Sequence, residues 1–381
     1  MTRPVVVLGA TGSIGRQTLE VSDRLGCNLL ALAVRQPGPA VIELAARYPE
    51  ATVIVAGGSS GEREELISRL GSRVRFGTDE IEEAASRPGA IVVNAIVGAA
   101  GLRASLAALS AGNRLALANK ESLVAAGDLV IAARDQGGGE LIPVDSEHSA
   151  LFQCLMGEDP ATVARVILTA SGGPFRGYDS EQLADVTVDQ ALAHPTWRMG
   201  GRITVDSATL FNKGMEVIEA HHLFGFGYEK IDVVVHPQSV VHSLVEFSDR
   251  SLKAQLATPD MRLPIQFALT YPERLPAEGP GTRLVGISLD FEAVDRETFP
   301  ALDLAYRAGR EGGNAPAVAN AADEVAVAAF LEGKLGFNAI PKVIEGTLDR
   351  VPVGPLASLG DVAEVDAEAR SVAAELARGW C

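Results

Sequence analysis

VVVLGATGSIGRQTLEVSDRL, residues 5–25, runs from a short apolar stretch through a loop with glycines at 9, 12 and 15 into a segment of helical spacing. The order of these parts says more than the number of glycines. A strand that ends at Gly9 and a helix over 16–25 put a helix start, with its exposed N–H groups and positive dipole, where a pyrophosphate binds. Gly9 and Gly12 let the backbone turn and approach phosphates, and Gly15 lets the helix pack on the strand. The spacing is GxxGxxG rather than the commoner GxGxxG, and an ordinary βα turn fits the same letters.

Outward from this loop, apolar β-rich runs at 5–9, 29–34, 51–55, 90–95, 114–118 and 140–144 alternate with longer Ala- and Leu-rich segments. Such alternation predicts βαβ units and a parallel sheet, hence an α/β, Rossmann-like doubly wound domain over 1–145. From residue 165 the pattern changes to strand-like runs at 166–168, 231–235 and 240–247 around polar clusters, which predicts a central α+β domain over 146–272. Pro- and Gly-rich sequence at 272–286 reads as a linker, and the connection between domains is set at 273–299. Ala-rich helical patterns then give a C-terminal α-helical domain over 300–381. No internal repeat is visible.

At 381 residues the chain exceeds what one core organises, so more than one domain is expected. Its formal net charge of −16, with no Lys/Arg block, argues against nucleic acid and anionic membrane as partners. Cys27, Cys154 and Cys381 lie far apart without CxxC spacing, so neither a disulfide framework nor a zinc cluster is expected. The N-terminal apolar run is too short for a signal peptide or membrane span, which predicts a cytoplasmic protein. The acidic stretches 62–65 and 361–375 read as solvated helix faces.

About twenty residues beyond the glycine loop stands Ala33-Val34-Arg35-Gln36, with no acidic residue for ribose hydroxyls. Arg35 suits a 2′-phosphate instead, so NADPH is expected over NADH. Asp145 and Glu147 are two apart at the end of a predicted strand and would leave the same face. On a helix from about residue 208, Asn212 and Glu216 are spaced i,i+4 with Lys213 beside them. Three carboxylates without Cys or imidazole suit Mg²⁺ or Mn²⁺, while separate surface carboxylates fit the spacing equally well. Ser171, Ser207, Asn212 and Lys213 are donors of the kind that hold a phosphate or several hydroxyls. His194 and Trp197 lie in a long irregular segment, 172–201, that reads as a lid or binding loop. Taken singly, each is also an ordinary structural residue.

Together, GATGSIG, AIVGAAGL, ANKESLV, PVDSEH, SGGPFR, HPTWRMG, VDSATLFNKGMEVIEA, HPQSVVHS and NAADEVAVAAF occur in this order along nearly the whole chain. In these motifs the sequence resembles the 1-deoxy-D-xylulose 5-phosphate reductoisomerase family. The resemblance implies an NADP oxidoreductase of isoprenoid biosynthesis. It would convert 1-deoxy-D-xylulose 5-phosphate to 2-C-methyl-D-erythritol 4-phosphate with NADPH and Mn²⁺ or Mg²⁺, Co²⁺ being an alternative. It implies that Thr11, Gly12, Ser13, Ile14, Asn119, Lys120, Glu121 and Gly201 serve the cofactor. By the same resemblance Asp145, Glu147 and Glu216 ligate the metal. Lys120, Ser146, Glu147, Ser171, His194, Trp197, Ser207, Asn212, Lys213 and Glu216 contact the substrate, with Lys120, His194 and the three carboxylates as catalytic residues. A homodimer is implied as well.

The chain departs from the family pattern where Val34 precedes Arg35 in place of a usual Gly. It departs again at Arg198, Gly201 and Arg202, the last replacing a familiar Lys; a guanidinium keeps the charge and changes the geometry. Two other readings of the sequence are a simple NADP-dependent dehydrogenase or semialdehyde reductase, and a non-enzymatic NADPH-sensing module. The first leaves Asp145, Glu147 and Glu216 without a joint role.

Overall fold

A computed structural model describes residues 3–279 and 281–380. Cys381 lies outside the described residues, and Cys27 and Cys154 are free thiols. The chain forms two compact units, each assembled from separate stretches of sequence: 1–122, 128–149 and 260–279 in the first, 123–127, 150–259 and 280–381 in the second.

The first unit is built on a seven-stranded sheet. Its strands are β1 (Val5–Leu8), β2 (Leu29–Val34), β3 (Thr52–Val55), β4 (Val74–Phe76), β5 (Ile91–Asn94), β6 (Arg114–Leu117) and β7 (Glu140–Pro143). They lie in the order β4-β3-β2-β1-β5-β6-β7, and every recorded pairing is parallel. β1, β5 and β6 are buried along their full length, as strands covered on both faces must be. Burying each Val or Leu of β1 stabilises the unit by roughly 1.5–3 kcal/mol relative to exposure. All six predicted strands are present. β4 was missed because three residues, one buried and one exposed, carry too little period to register.

Strand order reverses between β2 and β5 on either side of β1, which makes the carboxyl ends of β1 and β5 the topological switch point of the sheet. The glycine loop leaves β1 there and opens the helix Ser13–Leu25.

The second unit carries a mixed sheet of β8 (Val163–Ala170), β9 (Ile231–Val235), β10 (Val241–Phe247) and β11 (Leu252–Leu256), in the order β11-β10-β8-β9. β10 runs antiparallel to β8 and β11, and β8 is parallel to β9. β11 escaped the sequence reading because LKAQL has no fully buried position to mark an inward face. Helices Gly201–Thr209 and Phe211–Phe224 follow the lid segment. The sequence after residue 300 forms the helices Ala301–Glu311, Ala315–Leu331, Ile340–Arg350 and Leu359–Gly379. One apolar core joins the sheet to these helices: Tyr306, for example, is 3% exposed and its hydroxyl donates to Ile231 O at 2.6 Å.

Two expectations need correction. The lid segment is not irregular throughout, because helices Ser180–Ala184 and Val188–Leu192 interrupt it, each started by a capping box at Asp179 or Thr187. Asn212 and Glu216 do share a helix, but it begins at Phe211. A left-handed Leu210 (φ 63°) separates it from the helix Gly201–Thr209.

Candidate active site

In the first unit the glycine loop has the form a dinucleotide needs. Gly9 takes φ 84°, and a Cβ there would stand 2.5 Å from Ala95 O. A Cβ on Gly15 would lie 2.2 Å from Gly9 O, so only glycine lets the helix start press against the turn. Thr11, Gly12, Ser13 and Ile14 form this turn. No side chain caps the helix at Gly12 and its first turn has no acidic residue, so the N–H groups and dipole can serve an anion. Gly9 N and Ala10 N donate to Ala33 O, and two residues beyond Ala33 the exposed Arg35 stands at the carboxyl end of β2.

β6 ends at Leu117, and the turn Ala118-Asn119-Lys120-Glu121 leads into the helix Glu121–Gly137. Lys120, 5% exposed, is the N-cap of that helix, where the dipole disfavours a cation. The Asp145 carboxylate offsets this by pairing with Lys120 Nζ. β7 stops at Pro143, and the helix Ser146–Leu155 begins directly after Asp145. Asp145 and Glu147 therefore stand on a strand-to-helix turn rather than on one face of a strand as the sequence predicted. Ser149 N closes the turn on Asp145 O at 2.8 Å, and Ser146 Oγ donates to Glu147.

The second unit gathers its own polar set. β8 delivers Ser171 at its end, where Gly172 and Gly173 take φ 86° and 66°. A Cβ on Gly173 would meet Ser207 O at 2.8 Å, so this turn lies directly against the last turn of the helix that bears Ser207. His194 Nδ1 accepts from Thr196 N at 3.1 Å and Trp197 N at 2.9 Å. In the neutral ring the proton is then on Nε2, which donates to Ser171 Oγ at 2.9 Å. Burial holds the His194 pKa below its ordinary value, consistent with a neutral ring. Ser171 Oγ also accepts from Gly173 N at 3.1 Å, so its own O–H is oriented to donate outward, as a phosphate oxygen requires.

On the helix Phe211–Phe224, Asn212 Nδ2 donates to Glu216 Oε1 at 2.7 Å and Lys213 Nζ pairs with the other carboxylate oxygen. Lys213 and Glu216 are 3% and 1% exposed, a buried ionic pair. The carboxylates of Asp145, Glu147 and Glu216 each offer oxygen donors, the ligand type that hard divalent ions take.

Sequence reading gave no role to His242 and left Arg202 as an unexplained departure. His242 lies 6.3 Å from Trp197, ring centre to ring centre, and is 5% exposed. Burial, followed by the charge on Lys213, pushes its pKa down to about 4. The unfolded chain therefore binds this proton below about pH 6.5 while the folded chain refuses it until about 4. Stability is lost as pH falls through that window, by about 3 kcal/mol in all. Thermal melting between pH 7 and 4 should show the fall, and His242→Asn should flatten it. An unchanged slope in the variant would remove His242 as its source.

Arg202 uses its planar fork. It reaches Glu324 Oε1 at 2.7 Å, Asn320 Oδ1 at 2.9 Å and Asp323 Oδ2 at 3.4 Å on the helix Ala315–Leu331, and Asp206 Oδ2 at 3.5 Å on its own helix. A Lys would bring one charge to this cluster and lose the divergent contacts. Gly201, just before it, is exposed at the first position of the same helix.

A doubly wound domain with an anion-receptive first βα turn, in a chain that also carries these carboxylate and donor clusters, defines a dinucleotide-dependent oxidoreductase. Three family descriptions match: 1-deoxy-D-xylulose 5-phosphate reductoisomerase over residues 5–127, its C-terminal domain over 141–224, and the DXP reductoisomerase C-terminal domain over 256–372. The chain belongs to the 1-deoxy-D-xylulose 5-phosphate reductoisomerase family. It is 52% identical over 386 residues to the 1-deoxy-D-xylulose 5-phosphate reductoisomerase of Xanthomonas campestris pv. campestris (strain 8004), covering 97% of this chain and 95% of the relative. The enzyme of that name from Geobacillus sp. (strain WCH70) is 49% identical, with 96% and 97% covered. Among solved structures, the reductoisomerase of Zymomonas mobilis in complex with NADPH matches at TM-score 0.91 and 44% identity, with 99% of both chains covered. A DOX-P reductoisomerase in complex with NADPH, fosmidomycin and magnesium matches at 0.92 and 37%, covering 99% and 98%. No helix among the described residues is long and apolar enough to cross a membrane.

Proposed function

We propose that this protein converts 1-deoxy-D-xylulose 5-phosphate to 2-C-methyl-D-erythritol 4-phosphate, with NADPH as reductant and Mn²⁺ or Mg²⁺ as essential ion. Beyond family membership, one observation carries this reading. Asp145 and Glu216 are nearly buried carboxylates, each engaged by an ammonium group, Lys120 and Lys213. Hydride transfer alone asks for no divalent ion, whereas these carboxylates are of the kind that hold one. Bound by Asp145, Glu147 and Glu216, the ion supplies Lewis acidity for the carbon–carbon rearrangement, and NADPH supplies hydride for the reduction.

The chain's own residues do the rest. The turn Thr11–Ile14 seats the pyrophosphate on a helix start, and Arg35 grips the 2′-phosphate with a fork that matches it. Asn119 and Glu121 shape the cofactor turn, and Lys120 steadies negative charge on substrate oxygens. Ser171, through its outward O–H, joins Ser207, Asn212 and Lys213 in holding phosphate or hydroxyls, and Ser146 adds a further substrate contact. Neutral His194 fixes Ser171 in the donating orientation. The segment 172–201, with Trp197 and ending at Gly201, closes over substrate and keeps water from the reactive intermediate. In this reading residues 1–145 form the cofactor domain, 146–272 the catalytic domain and 300–381 a helical domain beyond the 273–299 connection. The protein acts as a cytoplasmic homodimer, which sedimentation of the purified protein tests.

The decisive experiment follows NADPH absorbance after adding 1-deoxy-D-xylulose 5-phosphate with Mn²⁺, and repeats it after EDTA. Oxidation that stops with the chelator is expected. Oxidation indifferent to EDTA would favour the plain dehydrogenase, and NADPH binding without turnover the sensor. A second expected outcome concerns Arg35→Ala. Losing charge-assisted hydrogen bonds to a phosphate should weaken NADPH by about 10- to 100-fold and NADH by less than about twofold. Fluorescence titration with both cofactors measures this, and equal weakening would show that Arg35 does not read the 2′-phosphate.

A further inference from the structure

Asn94 closes β5 at the switch point of the sheet and is fully buried. An amide of this kind must have its partners, and Asn94 has five. Its backbone carbonyl accepts from both Ala118 N and Asn119 N at 3.0 Å. Its side-chain Oδ1 accepts from Ile96 N at 3.2 Å, while Nδ2 donates to Gly101 O and Ser105 Oγ, both at 2.8 Å. One residue thus ties down the start and end of the loop after β5 and the start of the turn after β6.

The network continues in a single direction. Ser105 Oγ lies 3.2 Å from Ser122 Oγ, and Ser122 donates to Asn119 Oδ1. A hydroxyl has one proton, so Ser122 must accept from Ser105, which in turn accepts from Asn94. The amide of Asn94 therefore sets the polarity of a relay that ends on the side chain of Asn119. From there Asn119 Nδ2 donates to Gly98 O and Glu121 Oε2, both at 2.9 Å, and Gly98 N returns to Glu121 Oε1 at 3.0 Å. Gly101 makes room for this crossing, because a Cβ there would stand 2.6 Å from Asn119 Oδ1. Asn94, Ser105, Asn119 and Ser122 are each no more than 1% exposed, so bulk water does not compete for their hydrogen bonds.

We propose that Asn94, acting through Ser105 and Ser122, is a positioning residue that locks the Asn119-Lys120-Glu121 turn in the geometry required for cofactor binding and catalysis. The inference rests on the reading of that turn as part of the active site. Neither Asn94 nor Ser105 needs to touch cofactor or substrate for this role.

The test compares wild type, Asn94→Ala, Ser105→Ala, Asn119→Ala and the double variant of 94 and 119. NADPH affinity is read by fluorescence, turnover with 1-deoxy-D-xylulose 5-phosphate by absorbance, and folding by thermal melting. Asn94→Ala should weaken NADPH about tenfold and lower kcat about tenfold, with KM for the sugar phosphate within about twofold of wild type. In the Asn119→Ala background the same change should add less than about twofold, because the relay then ends on nothing. Effects on NADPH that multiply in the double variant would overturn the proposal. So would a lower melting temperature with unaltered affinity and kcat, which would make the network purely structural. Should Asn94→Ala fail to fold, Ser105→Ala cuts the same relay while leaving the bond to Gly101, and the same two outcomes decide. Absence of wild-type turnover would count against the functional reading alone, since the NADPH cycle still decides the role of Asn94.

Discussion

Glu216→Gln should abolish turnover, lowering it by about a thousandfold or more, while NADPH affinity changes by less than about twofold. The carboxylate is 1% exposed and holds both Asn212 and Lys213, so the amide keeps shape and loses charge at the position of this helix proposed to ligate the divalent cation. The cofactor loop belongs to the other compact unit. A second consequence is structural. Lys213 is 3% exposed, and neutralising the carboxylate it pairs with weakens a buried ion pair, so the melting temperature should fall as well. The two effects separate by titrating Mn²⁺ at a temperature where the variant is folded. Activity regained at saturating ion would sink Glu216 as a ligand.

Asp145→Asn and Lys120→Met should both lose about a hundredfold or more in kcat, yet differ in stability. Lys120 is buried at a helix N-terminus, where the dipole opposes it, and Asp145 is its counter-charge. Asp145→Asn removes a counter-charge from that ammonium, so the melting temperature should fall. Lys120→Met keeps the apolar stem, removes the ill-placed charge and leaves an aspartate 12% exposed at a helix start, which the dipole favours, so its loss should be much smaller. Calorimetry and steady-state rates on the two variants measure both parts. If Lys120→Met is the less stable of the two, helix-end electrostatics do not govern the pair.

These pairs mark the limit of what periodicity can reveal. Asp145 and Glu147 looked like a strand pair because they are two apart, but the strand ends at Pro143 and a helix takes over, which local spacing does not announce. The Asn212–Glu216 contact was readable, because i,i+4 on a helix dictates it wherever the helix begins. Ser171 with His194, and Lys120 with Asp145, are separated by more than twenty residues and meet only once β8 and β7 are in place. His242 and Asn94 carry no local signal, since a buried polar side chain is identified by its surroundings and not by its type.

From sequence alone came the alternation of strand and helix, the phosphate-receptive turn at Gly9–Gly15, the helical C-terminal region, and the polar motifs that tie the chain to its family. Each depends on interactions within a few residues, or on a pattern that one residue's chemistry fixes. Tertiary structure alone decided the strand order that sets the switch point, the division of the chain into two discontinuous units and the left-handed break at Leu210. It also decided the tautomer of His194 and the one-way relay from Asn94 to Asn119. These depend on which distant groups share a desolvated neighbourhood, where a polar atom must find its partner across the fold.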